Sequence, residues 1–414
     1  MPSYSPTFAP TLLGYNWYFW GAEEGRGNTI GENQQVPQEI PDEIIDVSAG
    51  SRHTFLINTS GELIVAGFIE SDFGYRGHMG VGPIDDCENV SDQLCEGSND
   101  PLVVIEVFDE RGKSIQMGDR DFPFFRFVYA AAGVPADSGE MHAAAIDFNG
   151  DVWVTGNNNK GQLCLGEFGD LNFRDSFHKV PGLPGPALKA QVGDEFTLVL
   201  LENGDVYGCG TNEQGEIGQG EDVDISTRAV KIKDLKNINQ MSAGLQFAVF
   251  LDNRNRIFAT GSNLYGQMCA FTSGLPLTVP EIVFDFTDDA VIQVEAGKES
   301  SYYLFEDGSA RSCGRNDEGQ LGNGDFVNTD EETPIVDVDI DDVILRVESG
   351  PSSQSVFFIL EESVLASGLN DRYQLGIDEI GSRDSPVEVL FDGPVEIQYI
   401  SSSGTHTVAN GRYL

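Results

Sequence analysis

The sequence predicts an all-β fold built from seven copies of one unit, and three observations carry that prediction. An apolar strand ending in Ala-Gly or a close variant recurs along the chain. A later strand ending in Gly recurs with it, seven times. The 48 glycines and 18 prolines among 414 residues supply turns in a number that suits short strands rather than long helices.

Taken in chain order, residues 1–14 are rich in Ser, Thr and Pro and read as an extended linker; they lack the charged start and apolar middle of a secretory signal. We expect this to be the start of a processed or truncated chain. Trp17-Tyr-Phe-Trp-Gly21 then supplies only the late half of a unit. Complete units follow, with Ala-Gly copies at Ala49-Gly50, Ala132-Gly133, Val192-Gly193, Ala243-Gly244, Ala296-Gly297 and Ser349-Gly350. Their late strands end at Gly67, Gly156, Gly210, Gly261, Gly314 and Gly368. Strands such as Glu62–Gly67, Asp151–Gly156 and Asp205–Gly210 follow Ser-Gly or Asn-Gly hairpin turns, where glycine takes positive φ at no steric cost. Each unit closes on a loop such as Asn-Glu-Gln-Gly-Glu-Ile-Gly (212–218) or Asn-Asp-Glu-Gly-Gln-Leu-Gly (316–322). The C-terminal stretch around Ser402-Ser403 and His406 supplies only an early half. The two partial units therefore complete one another, which closes a ring and hides sheet edges.

These elements together, an Ala-Gly followed by His in several copies, a hairpin turn, a Trp-Gly-like strand end and a Gly-Gln-Leu-Gly-like loop, resemble the regulator-of-chromosome-condensation repeat family from about residue 15 to residue 411. The resemblance implies a seven-bladed β-propeller of four-stranded blades, with the two ends of the chain sharing one blade. Residues 15–414 are then one domain, carrying an insertion at about 69–126. That insertion holds Cys87, Cys95 and the aromatic run with Phe122, Phe124 and Phe125, and a loop of such length is usually functional.

Charge narrows the partners. With 67 acidic and 24 basic residues the formal net charge is −43, which repels phosphate backbones and anionic lipid. No nucleic-acid partner and no membrane insertion is expected, since no apolar run reaches the roughly 20 residues a bilayer crossing needs. Cys164 and Cys269 replace the last Gly of the closing loop in two blades, and Cys209 and Cys313 precede the strand-ending Gly of the very next blade. Two equivalent inter-blade disulfides, Cys164 to Cys209 and Cys269 to Cys313, are expected, with Cys87 to Cys95 as a third; the alternative is four buried free thiols. An oxidising compartment follows from the pairs, and sequons at Asn58 and Asn89 lean the same way.

Chemistry is sparse. His53, His142 and His406 read as structural imidazoles beside the Ala-Gly turn, while His78 and His178 are isolated in loops. Acidic groups around Asp285 and Asp337–Asp342 lack the calcium-loop spacing, so no metal or cofactor is expected. Trp17, Trp20 and Trp153 are too scattered for the light-sensing Trp cluster that some members of the family carry. The resemblance also implies guanine-nucleotide exchange on a small GTPase, through loops between Ala-Gly and His. Here those loops offer Arg52, Asp194, Glu195, Gln246, Lys298, Glu299 and Ser353; Glu195 matches the acidic requirement, but Glu299 and Ser300 stand where an additional His is needed. The expected function is a non-enzymatic protein-binding or assembly module, extracellular or at the cell surface. Exchange factor, in the cytoplasm or nucleus, and secreted inhibitor of an enzyme are the alternatives.

Overall fold

The computed structural model describes residues 15–21, 44–50, 53–67, 102–103, 106–116, 118–121, 123–130, 141–168, 173–270, 274–285, 289–391, 395–404 and 406–413. No helix occurs among them. Seven sheets form a ring, and the protein is a seven-bladed β-propeller. Blade 1 is shared by the chain ends: Val395–Ser402 pairs with His406–Tyr413, which pairs in turn with Tyr15–Gly21. Blades 2 and 4 to 7 are four-stranded meanders. The first strands, Ile44–Ala49, Phe125–Ala130, Ala187–Val192, Ile238–Ala243, Val291–Ala296 and Arg346–Glu348 in blades 2 to 7, stand side by side around a central channel.

The core lies between blades rather than at the axis. Phe55, Ile57 and Val65 of blade 2 pack on Ala143, Trp153 and Phe177 of blade 3, and comparable layers separate the later blades up to Phe357 and Ile359 against Ile397 and Ile400 of blade 1. A strand sandwiched by two neighbours is apolar on both faces, so Phe196–Leu201 and Phe247–Asp252 are buried along their whole length instead of alternating.

The insertion is only partly an insertion. Leu102–Val103 is the fourth strand of blade 2, paired with Ile64 and Val65. Glu106–Phe108 and Ser114–Gln116 form a hairpin that extends blade 3 outward, the first of them running parallel to Arg174–Lys179. Val107 and Ile115 are buried there, and Phe108 stacks on His178 at 4.7 Å between ring centroids. His178 is therefore a sheet residue and not an isolated loop histidine. Phe125 already belongs to the first strand of blade 3, which ends at Ala130; Ala132-Gly133 lie outside the described residues.

Candidate functional site

Among the described residues, the closing loop is built by an Asn side chain and, in every blade but the fourth, a Gln side chain. Asn158, Asn212, Asn263, Asn316 and Asn370 each accept, through Oδ1, the backbone N–H five residues on, and each donates Nδ2 to a carbonyl further along the loop. Gln162, Gln267, Gln320 and Gln374 accept the N–H two residues before them. The loop then grips the next blade: Thr197, Ser301 and Thr407 donate to the carbonyls of Gln162, Gln267 and Gln374 at 2.6–2.9 Å. The last position of the loop is left-handed, with φ of 59° at Gly218, 64° at Gly322 and 69° at Gly376. Cys164 and Cys269 hold the same conformation at 57° and 56°, and they form disulfides with Cys209 and Cys313 of the following blade.

The Ala-Gly turns pack against one another around one mouth of the channel. Asp194 N donates to Leu245 O, Leu245 N to Lys298 O, and Lys298 N to Ser353 O, so blades 4 to 7 are joined turn to turn at 2.8–3.0 Å. A Cβ on Gly350 would lie 2.3 Å from Ser402 O and one on Gly244 would lie 2.6 Å from Gly297 O, which is why the repeat needs glycine there. This arc of joined turns carries Asp194, Glu195, Gln246, Lys298 and Glu299. Gln246 is exposed and the other four are half-buried. Glu195 lies 3.9 Å from Lys160, which is held by Glu213 at 2.9 Å, and that hydrogen bond raises the Lys160 pKa. Glu299 pairs with Arg315 at 2.7 Å; Arg315 also binds Asp317 and lies over the Tyr265 ring at 5.1 Å.

Other sequence candidates fall elsewhere. Ser353 is 1% exposed; its hydroxyl donates to Ser355 O and accepts from Ser402, so it serves the turn and is not presented to a partner. Phe124 packs against Gly61, in the turn between the second and third strands of blade 2, and its carbonyl accepts from Phe148. It therefore lies on the opposite face from Asp194 and Glu195. Asn58 is buried, with Nδ2 donating to Glu62 and Oδ1 accepting Glu62 N, so in the folded state its amide is not offered to a glycan. Arg52, Cys87, Asn89, Cys95 and Phe122 lie outside the described residues. His142 and His406 bond Thr197 and Thr54 of the neighbouring blade at 2.9 Å, and burial lowers the His142 pKa to about 3, which keeps the ring neutral.

The channel wall holds side chains that the sequence did not single out. Its cavity is 270 Å³. Among the residues one and three places before the Ala position of the Ala-Gly copies, Lys189, Glu295, Arg346 and Glu348 line the cavity. Arg346 lies 2.7 Å from Glu348, and Lys189 donates to Met241 O. Burial raises the pKa of both glutamates, against the opposing pull of Lys189 on Glu295 and of Arg346 on Glu348. Side-chain amides and hydroxyls satisfy inner strand edges across three of the gaps: Gln240 takes Val294 N and Ile292 O, Gln293 takes Val347 N and O, Ser242 takes Ala296 N, and Ser401 takes Ala49 N. The signal was a repeated position, but its meaning depends on where the strand sits in the ring.

Comparison with known proteins agrees with this geometry. The Regulator of chromosome condensation (RCC1) repeat matches at residues 137–162, 189–216, 238–267, 291–320 and 361–409. The chain is 25% identical over 394 residues to the ultraviolet-B receptor UVR8 of Arabidopsis thaliana, covering 93% of this chain and 80% of that protein. It is 24% identical over 416 residues to the regulator of chromosome condensation of Homo sapiens, covering 93% and 86%. Prp20p of Saccharomyces cerevisiae superposes with a TM-score of 0.73 at 17% identity, over 98% of this chain and 93% of that one. With seven sheets in a closed ring, repeat matches in five places and alignments that run nearly end to end, this chain is an RCC1-like repeat β-propeller.

Proposed function

We propose that this propeller is a non-enzymatic protein-binding module that engages its partner through the face bearing Asp194, Glu195, Gln246, Lys298 and Glu299, in an extracellular or cell-surface setting. The observation that carries the reading is the arc of turn-to-turn hydrogen bonds that joins blades 4 to 7 at those residues. A platform fixed in the free protein loses little entropy on binding, and preorganised charged groups select among partners. Two inter-blade disulfides support the oxidising compartment. Prp20p, which binds Gsp1p and histones, supports partner binding by this fold and not a particular partner here.

Exchange on a GTPase fits less well, because Glu299 is committed to Arg315 and Ser300 is buried where a second imidazole is needed. The test is affinity capture from the native source with wild-type protein and a Glu195→Lys, Lys298→Glu double variant. A partner retained by the first and lost with the second is the expected result; equal retention would remove this face from consideration. Faster nucleotide release from a captured GTPase would replace the binding-module reading with exchange.

A further inference from the structure

Blade 5 carries an uncharged stretch in a chain whose formal net charge is −43. Its loop over residues 262–276 contains no charged residue. Leu264 on that loop, Val279 and Ile282 on the following strand, and Phe326 and Val327 on the corresponding loop of blade 6 are 43–66% exposed. Contacts bring these segments together. Gly220 N donates to Thr278 O at 2.9 Å and a Cβ on Gly220 would lie 3.8 Å from Val279, so the blade 4 loop borders the strand. On the other side a Cβ on Gly266 would lie 3.0 Å from Thr329, which seats the blade 5 loop against that of blade 6. The borders are acidic: Glu221 and Asp222 follow Gly220, while Asp325 precedes Phe326 and Asp330, Glu331 and Glu332 follow Thr329.

Single exposed apolar residues are ordinary on protein surfaces. Five on adjoining segments, enclosed by carboxylates, have instead the layout of an interface with an apolar centre and a charged rim. The rim decides the occupant. A second copy of the chain would bring like charges face to face, and nucleic acid or anionic lipid would be repelled. Addition of a strand to the edge is opposed by Pro280, which lacks an N–H, and by the use of Thr278 O within the molecule. We infer that this patch docks a basic protein segment whose apolar side chains, bracketed by Lys or Arg, seat on Leu264, Val279, Ile282, Phe326 and Val327. This rests on the protein-binding reading and adds to it a location on the outer rim of blades 5 and 6 and the chemistry of the partner.

The experiment compares two synthetic peptides of equal length and charge, one of Lys and Leu and one of Lys and Ser, by fluorescence anisotropy. The proteins are the wild type, a Leu264→Ser, Val327→Ser variant and a Val343→Ser, Leu345→Ser variant whose exposed residues lie on the opposite face. Circular dichroism establishes that all three fold. The Lys/Leu peptide is expected to bind the Leu264/Val327 variant roughly tenfold or more weakly than the other two, while the Lys/Ser peptide binds all three alike through charge alone. Equal binding of the Lys/Leu peptide by all three proteins overturns the proposal. Flotation of the wild type, but not the Leu264/Val327 variant, with phosphatidylcholine vesicles overturns it in favour of a lipid surface. If the Glu195/Lys298 variant loses its captured partner while the Leu264/Val327 variant keeps it and binds the Lys/Leu peptide normally, protein binding stands and this patch does not.

Discussion

Glu216 occupies the place at which other closing loops carry Gln162, Gln267, Gln320 and Gln374, and it accepts Gln214 N as those amides accept their own loop N–H. Burial pushes its carboxyl up from 4.5 to about 7, with Glu213 and Glu195 adding to the shift. Below pH 4.5 the group is protonated in both states and costs nothing. Between there and pH 7 the unfolded chain releases a proton that the folded chain keeps, so stability falls as pH rises, by roughly 3 kcal/mol in all. Glu216→Gln should remove that slope, gaining roughly 2–3 kcal/mol at pH 8 and little at pH 4.5, as read by denaturant titration at both values. Cys164 is a second case. Its left-handed backbone costs about 1 kcal/mol that glycine would avoid, and the cross-link over 45 residues offsets this with about 3–4 kcal/mol. A Cys164→Ser, Cys209→Ser variant should lose about that stability under oxidising conditions, and Cys164→Gly in place of Cys164→Ser should recover about 1 kcal/mol by chemical denaturation.

At the scale of elements, the first strand of each blade is an inner sheet edge with no strand paired to it on the channel side. Gln293 covers the edge of blade 7 by donating to Val347 O at 2.6 Å and accepting Val347 N at 2.9 Å. Gln293→Ala should leave both groups partly unsatisfied and cost about 1–3 kcal/mol in denaturant titrations, with blade 7 amides such as Val347 exchanging first. The hairpin over 106–116 solves the analogous problem at the outer edge of blade 3, where Val107 and Ile115 bury against the sheet and Lys179 pairs with Asp151 and Glu110. A long insertion in the sequence thus contributes ordered strands to two blades.

For the whole molecule, the decisive contact is the pairing of Tyr15–Gly21 with His406–Tyr413, which joins chain ends nearly 400 residues apart. Without it blade 1 presents a long open edge. Deleting residues 1–21 should therefore convert the protein to larger species on size-exclusion chromatography with raised binding of an apolar dye, and a peptide of residues 13–23 added during refolding should partly restore the size of the intact protein.

The repeat was legible because its residues answer local demands. Glycine marks turns and left-handed positions wherever they occur, and a strand buried on both faces is apolar whatever its neighbours are, so counting Ala-Gly and strand-ending Gly is enough to reach seven units. Cys164 and Cys209 were legible because the same two places of the repeat, the end of a closing loop and the strand end of the next blade, carry cysteine again at Cys269 and Cys313. The site was legible only in part. Asp194, Glu195, Lys298 and Glu299 do share one mouth of the channel, as their common place in the repeat implies, but Ser353 at the same kind of turn is buried because Ser402 closes over it. Phe124 proved to be on the far face, because a strand reverses which end of the blade its flanking residues reach. The channel charges at Lys189, Glu295, Arg346 and Glu348, and the apolar patch on blades 5 and 6, come from residues far apart in sequence. The sequence by itself determined the unit and its number, since those depend on backbone conformation and repeat position, while it left Cys164, Cys209, Cys269 and Cys313 open between disulfides and buried thiols. Which side chains meet, and whether water reaches them, was decided by the tertiary structure, since burial and electrostatic fields depend on groups brought together only when the ring closes.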